Sequence, residues 1–370
     1  MIKSFLKRYQ KHHLRTKAGG FTLLELLVAM LVGSLISAGL LYIVVQLIET
    51  NLRESARSDT QRDLQAAIDY IVRDVREAVF VYDGECLLDR PASPNNTRCP
   101  GLRSYLPETI VGTSGFGTTN NVPVLAFWRV DPLPEELKAV CTRNSDAYSS
   151  SAALPAAIQN VPCLSERMYT LVVYSLNRET TGRVSRGRAR IVRYHLPQFT
   201  GSSVPTTGSP VPVTGWVNPR GRTDGKETSF LAWPVERSSL SQTPLVSLQT
   251  SRPVSNNTNT LPLTDFVDWV GLYNPSDSSG RGRAPNRSTE GLILTPRDGA
   301  SATADPPRGF YVYVRGGDRE GDLNQEVVIR IQGDAAGRPG VPDIGATNRP
   351  RVPIALETRV LTRGVTNKTQ

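Results

Sequence analysis

The sequence predicts an α+β protein in which a long N-terminal helix, half apolar and half amphipathic, is laid on an antiparallel β-sheet domain with long loop insertions. Three observations predict it. Residues 26–48 contain no Asp, Glu, Lys or Arg, and residues 49–81 keep apolar residues at helical spacing with no Pro or Gly before Gly84. Beyond Gly84, short runs rich in β-branched and aromatic residues alternate with clusters of Gly, Pro, Ser and Asn, the pattern of a sheet with long connections.

The chain opens on a basic stretch. Met1 to Gly20 holds six cations (Lys3, Lys7, Arg8, Lys11, Arg15, Lys17), the histidines His12 and His13, and no acid. By the positive-inside bias this end stays in the cytoplasm and the rest is exported. The apolar block follows, and at about 1.5 Å per residue Leu26–Ile48 spans the ~30 Å hydrocarbon core of a bilayer. It is longer than the core of an ordinary secretory signal and no A-x-A site closes it. The one charge in the block is Glu25. A carboxylate in lipid costs about 2.5 to 3.5 kcal/mol at mid-bilayer and less near the interface, so it calls for a partner. No basic residue lies within the next 23, which leaves a neighbouring copy or a new amino terminus to supply one. A plain signal anchor with Glu25 in the headgroup layer is the simpler alternative.

The run Gly20-Phe21-Thr22-Leu23-Leu24-Glu25-Leu26 resembles the signature of type IV prepilins and pseudopilins. The resemblance implies a type IV pilin-like fold. It implies that prepilin peptidase cuts between Gly20 and Phe21 and that the new amine of Phe21 is methylated. Glu25, the fifth mature residue, is then expected to meet the Phe21 amine of an adjacent subunit, two charges neutralising each other in an apolar bundle. The implied partners are other pilins or pseudopilins, the peptidase, an assembly platform protein, a motor ATPase, and membrane lipid before assembly. Tyr42 stands where many major pilins carry a mid-helix proline, which leans toward a minor pilin or pseudopilin. Gly33 and Gly39 are six apart, not the G-x-x-x-G packing pattern.

The polar half of the helix is expected to run to Val81. Leu64, Ile68, Ile71, Val75 and Val79 form one apolar stripe, with Glu49/Arg53, Asp69/Arg73 and Arg73/Glu77 on other faces. Ala67–Val79 looks like the junction of large minor pilins and secretion pseudopilins. Val79–Leu87, with a later strand pair, is similar to the cyanobacterial hormogonium polysaccharide secretion pseudopilins. The expected division is a cleaved leader 1–20, a membrane and fibre-core helix 21–48, an amphipathic spine 49–83 and an exported β-rich domain 84–370.

Candidate strands are Val122–Val130, Met168–Leu176, Ala189–Leu196, Phe230–Val235, Gly291–Leu294, Phe310–Val314, Glu326–Ile331 and Val352–Leu361. Tyr169–Leu176 and Ala189–His195 read as a hairpin whose tip carries Arg178, Arg183, Arg186 and Arg188; Asp265–Tyr273 is ambiguous between helix and strand. Gly201–Gly225 and Tyr273–Thr289 are rich in Ser, Thr, Gly, Pro and Arg, and Asn256–Thr260 is polar, so these read as mobile surface insertions. The N-x-S/T matches at Asn95, Asn256, Asn286 and Asn367 read as by-products of composition.

Cys86, Cys99, Cys141 and Cys163 lie in the exported part. An even count favours two disulfides; four cysteines allow three connectivities, and the pairing expected is Cys86 with Cys99 and Cys141 with Cys163, each closing a short loop. A zinc site is disfavoured by the absence of C-x-x-C. Asp318, Glu320, Asp322 and Asn324 alternate in one loop and are a calcium candidate, because some secretion pseudopilins hold calcium in such a loop. The run departs from the EF-hand pattern, and a solvated turn is the plainer reading. No cofactor is expected.

No nucleophile elbow, Walker loop, H-E-x-x-H or dinucleotide fingerprint occurs, and His195, the histidine outside the leader, reads as structural. The net charge of +9 shrinks to 37 basic against 34 acidic residues once the leader is removed, too small a bias to argue for nucleic acid. The expected function is a non-enzymatic minor pilin or pseudopilin, a structural subunit of a type IV pilus-like or type II secretion-like fibre supporting secretion or surface motility. The alternative is a membrane-anchored, adhesin-like module that uses the same anchor.

Overall fold

The computed structural model describes residues 20–87, 98–111, 120–149, 153–178, 187–204, 208–223, 225–242, 244–256, 258–269, 284–296, 309–316, 324–341 and 354–362. The chain divides into two compact units, Met1–Glu54 and Ser55–Gln370. Helix α1, Leu23–Arg76, contributes to both.

Within the first unit the helix is long and apolar enough to cross a membrane, and its side chains are exposed all round, Leu23 at 86% and Leu35 at 66%. A helix apolar on every face needs a non-aqueous surrounding. Several of its polar side chains bond within the helix. The Ser34 hydroxyl donates to the Leu31 carbonyl (2.8 Å), Thr50 to Gln46 (2.8 Å), and the Gln46 amide to the Tyr42 hydroxyl (2.7 Å). Such bonds lower the cost of placing these side chains in lipid. Glu49 and Arg53 pair at 3.6 Å where the helix turns polar.

In the second unit Ala56, Thr60, Leu64, Ala67, Ile68, Ile71, Asp74 and Val75 are buried along one face of α1. This stripe packs into a core formed with Val81, Phe127, Val172, Tyr174, Val267, Val312, Ile329 and Ile331. Gly333 permits the approach, since a Cβ there would lie 2.5 Å from the Leu64 side chain. The helix ends at Arg76, five residues before the expected Val81. Ala78–Val81 form strand β1 instead, all four buried, because Val-Phe-Val suits a pleated surface and pairs antiparallel with Arg129–Phe127. Val79 therefore leaves the helix stripe for the core on the other face of the sheet. Glu77 turns to Arg129 at 3.5 Å.

Two one-turn helices, α2 (Gly84–Leu87) and α3 (Glu108–Val111), precede β2 (Asn121–Pro132). Helix α4 (Glu135–Arg143) leads to β3 (Arg167–Asn177) and β4 (Ala189–Pro197), which form the expected hairpin. A two-residue ladder joins β5 (Arg222–Thr223) to β6 (Lys226–Glu227). Then come β7 (Thr260–Val267), β8 (Ile293–Thr295), β9 (Phe310–Arg315), β10 (Glu326–Gly333) and β11 (Ile354–Leu361). Among the described residues the antiparallel sheet has nine strands in the order β1-β2-β3-β4-β7-β10-β9-β8, with β11 on the other edge of β10.

Strand β7 replaces the ambiguous Asp265–Tyr273 and takes in Thr260, which had read as loop; residues 270–273 lie outside the described residues. Phe230–Val235 is a turn with a single bridge from Val235 to Ser247, not a strand. Its backbone is committed locally, Trp233 N–H to Ser229, and Pro234 brings no donor for a ladder. The turn delivers Phe230 and Trp233 to a second core with Phe80, Tyr82, Trp128, Tyr194 and Leu196 on the face away from α1. Three of the buried polar ends there are satisfied, while the Tyr194 hydroxyl has no hydrogen-bond partner among the described residues. Tyr82 donates to the Phe230 carbonyl (2.6 Å), Trp128 Nε1 to Tyr82 (2.9 Å) and Trp233 Nε1 to the Val217 carbonyl (2.9 Å). The described part of Gly201–Gly225 is thus a wall of this core rather than a mobile insertion: Val217 is buried, and Trp216 Nε1 donates to the Tyr169 carbonyl at 3.1 Å.

Gln325, fully buried, clasps the sheet. Its Oε1 accepts from the Val81 N–H (2.7 Å), and its Nε2 donates to the carbonyls of Val81 (2.8 Å) and Gly316 (2.9 Å). Its backbone exchanges bonds with Thr362 just beyond β11. One amide thereby takes the place of a strand residue beside β1.

Candidate functional site

The N-terminal segment is built around a helix cap. Thr22 precedes α1, its hydroxyl accepts the Glu25 N–H at 3.2 Å and its carbonyl accepts the Leu26 N–H at 3.1 Å. A threonine at this position satisfies an N–H that the first turn leaves open. It also holds Glu25 one turn from Phe21, and Phe21 is exposed at 79%. A Cβ built on Gly20 meets nothing within 4 Å, and the residue is not among those with positive φ. Neither steric room nor backbone conformation in this chain calls for glycine there. Gly33 and Gly39 are likewise open, although glycine inside a helix costs about 1 kcal/mol relative to alanine.

A second constellation, which the sequence reading missed, lies where α1 meets the sheet. Asp74 is 4% exposed and its carboxylate is surrounded. Arg193 Nε on β4 donates at 2.8 Å, the Tyr174 hydroxyl on β3 donates at 2.6 Å, and Arg129 on β2 makes a third contact. Arg129 is itself bridged to Asp131. Burial alone pushes the Asp74 carboxyl up, but the Arg193 hydrogen bond and charge, the Tyr174 bond and the Arg129 charge outweigh it and hold it below its usual value. Burial also raises the Tyr174 phenol far above its ordinary range, and Asp74 adds to the effect. The available signal was an acid between Ile71 and Val75 on the apolar stripe.

His195 is half-buried on β4, and its Nδ1 has no hydrogen-bond partner among the described residues. Burial first, then the Arg193 charge, lowers its pKa and keeps it neutral near pH 7. The structure joins Cys86 to Cys99 and Cys141 to Cys163. Asp83 stands beside the first bridge. It accepts the Glu85 and Cys86 N–H groups at 3.0 Å and Arg98 at 2.6 Å, yet burial pushes its carboxyl up. Arg178 lies over the Trp269 ring at 5.6 Å and Arg188 faces Asp334 at 3.4 Å; Arg183 and Arg186 lie outside the described residues. So do Asp318, Glu320 and Asp322, while Asn324 is exposed before β10. Among the described residues no group of three or more His, Cys, Asp or Glu is placed to hold a metal ion.

A long apolar N-terminal helix with an antiparallel sheet domain defines an α+β, type IV pilin-like fold. Residues 15–41 match the prokaryotic N-terminal methylation motif, which supports a type IV pilin- or prepilin-like protein. That motif indicates a precursor processed by prepilin peptidase and implies assembly with other pilins; its family is a structural subunit rather than an enzyme. Helix and motif together fit a membrane-anchored protein that forms a pilus. No curated protein and no solved structure matches the chain.

Proposed function

We propose that this chain is a minor pilin or pseudopilin, a structural subunit of a type IV pilus-like or type II secretion-like fibre. The leader 1–20 is cut between Gly20 and Phe21, and Phe21 is N-methylated. Helix 21–48 anchors the subunit with its N-terminus cytoplasmic and afterwards forms the fibre core. The spine from residue 49 carries the β-rich domain to 370 on the periplasmic side. An assembly platform and a motor ATPase supply the extraction, and the fibre serves secretion of polysaccharide or protein, or surface motility. The narrower kinship with hormogonium polysaccharide secretion pseudopilins rests on Val79–Leu87.

The observation that carries this reading is Gly20. A glycine that its own chain does not require, between a basic leader and a capped apolar helix, is explained by a peptidase that needs a bare backbone at the cut. Gly20→Val is expected to leave the folded unit Ser55–Gln370 unchanged in unfolding midpoint while reducing leader removal by at least tenfold, read by intact mass. Wild-type protein is expected to begin at methylated Phe21. Functional protein still starting at Met1 would reduce the chain to an anchored binding module.

Glu25 is assigned to the amine of Phe21 in the adjacent subunit. Ion pairing in an apolar bundle is worth most when both charges are otherwise unanswered. Glu25→Ala is therefore expected to keep membrane insertion and cleavage but cut recovery in sheared fibres at least tenfold. Equal recovery would remove the pairing.

A further inference from the structure

Strand β11 lies along β10 on the side opposite β9, and among the described residues no strand pairs with its other edge. Two other edges of the sheet are short or stopped: β8 has three residues, and the Gln325 side chain occupies the open side of β1. By contrast β11 runs eight residues in unbroken register, from Glu326 opposite Leu361 to Gly333 opposite Ile354. It carries no bulge, proline or lysine, devices that keep exposed edges from pairing.

The phase of the ladder shows which groups face outward. The Thr362 N–H donates to the Gln325 carbonyl (2.9 Å), and in an antiparallel ladder alternate residues bond to the same neighbour. Val360, Thr358, Leu356 and Ile354 therefore bond to β10, and the N–H and C=O groups of Leu361, Arg359, Glu357 and Ala355 point to the open edge. These four residues are exposed, Leu361 at 63%. A second β11 laid antiparallel on this edge exchanges bonds with it when odd-numbered residues stand opposite odd-numbered ones. Centred on Glu357, such a pairing sets two carboxylates opposite each other; centred on Arg359, it sets two guanidiniums opposite, and like charges there destabilise. Centred on Thr358, it sets Glu357 opposite Arg359 of the second copy on both sides of the axis, Ala355 opposite Leu361, and Leu356 opposite Val360 on the other face. Contacts with Arg287 (2.9 Å) and Arg330 (3.3 Å) for Glu357, and with Glu326 for Arg359, orient the two charged side chains before any pairing.

The strand is thus complementary to itself in backbone phase, in charge and in apolar pattern about one two-fold axis. We propose that β11 pairs with β11 of a second copy of this chain, antiparallel and centred on Thr358, so that two sheets join into one. The contact is one strand wide, short of the roughly 1,200 to 2,000 Å² buried by stable interfaces, so the dimer is weak between free molecules. Two copies anchored in one membrane raise each other's effective concentration and favour it. Every group involved belongs to the folded unit, so the pairing does not depend on leader cleavage or on the fibre core.

The test is cross-linking of the full chain in detergent micelles through one introduced cysteine, under mild oxidation, read as dimer on non-reducing gels. The native cysteines are all held in disulfides, so the introduced thiol is the reactive one. In the proposed register Thr358→Cys meets its own copy in a non-hydrogen-bonded pair, Cα atoms about 4.5 Å apart and within disulfide reach. The two Leu361 positions stand six strand steps apart, about 20 Å, and are out of reach. Thr358→Cys is therefore expected to form dimer at least tenfold faster than Leu361→Cys. Exposure alone, or association through the apolar half of α1, would give the reverse order, because Leu361 is exposed and Thr358 half-buried. Adding Arg359→Pro removes an outward N–H while leaving the β10 ladder intact, and should slow the Thr358→Cys dimer at least tenfold at an unchanged unfolding midpoint. Arg359→Glu sets acid opposite acid and should slow it likewise, which keeps the test valid if the proline variant fails to fold. No Thr358→Cys dimer, a Leu361→Cys dimer formed as fast or faster, or a Thr358→Cys rate indifferent to both Arg359 changes would each overturn the proposal.

Discussion

Asp74→Ala is expected to destabilise the unit Ser55–Gln370 by about 3 to 5 kcal/mol, the range for removing one partner of a buried ion pair. The loss is large because three donors converge on one carboxylate. Without it Arg193 keeps a buried charge and Tyr174 a buried hydroxyl, and Arg129 retains Asp131 as its counter-ion. Asp74→Asn keeps the volume but removes the charge, and should recover only part of the loss. The measurement is the denaturant midpoint at pH 7 for both variants; a change below about 1 kcal/mol for the alanine would show that the network is not structural.

The same residue sets a pH dependence whose sign follows from its direction. Its folded carboxyl titrates below the unfolded value of 3.8, so its contribution is full above that value and is lost as pH falls through the folded one. Asp83 works oppositely. Its carboxyl is raised, so ionising it on passing upward from 3.8 costs stability. Asp74→Asn should flatten the acid limb of the wild-type stability curve, and Asp83→Asn should raise the neutral plateau relative to that limb. An acid limb unchanged in Asp74→Asn would assign it to other groups.

Gln325→Leu is the second large effect. The leucine fills a similar volume but leaves the Val81 N–H, the Val81 carbonyl and the Gly316 carbonyl without partners. At about 1 to 3 kcal/mol for each buried unsatisfied group, relaxation included, a total of about 3 to 5 kcal/mol is expected. The effect should be local before it is global. The Val81 amide should exchange at least a hundredfold faster in native-state hydrogen exchange, while amides in the β3–β4 hairpin keep protection relative to the new global limit. Unchanged Val81 exchange would show that the clasp is redundant.

What could be read from sequence was local. The apolar block and the run Gly20–Leu26 are contiguous, and most of the strands that alternate between breaker residues lie close to where they were expected. The misses share a cause, a partner far along the chain. Ala78–Val81 continues the helical spacing, and only the 127–129 segment of β2 makes it a strand. Phe230–Val235 has the composition of a strand, but its aromatics are taken by Tyr82 and Trp128 from the other side. Asp74 finds Arg193 across 119 residues, and no local pattern announces that pairing.

The Gln325 clasp bears on biosynthesis. Val81 and Gln325 are 244 positions apart, so a ribosome working at about 5 to 20 residues per second takes on the order of ten to fifty seconds to make the second after the first. Through that interval the oily flank of the nascent rod, Leu64 to Val75, has no Ile329 or Ile331 to lie against. A nascent polypeptide in that state is a client for a holdase, and a message truncated before codon 325 would yield a product for proteolysis rather than for the envelope.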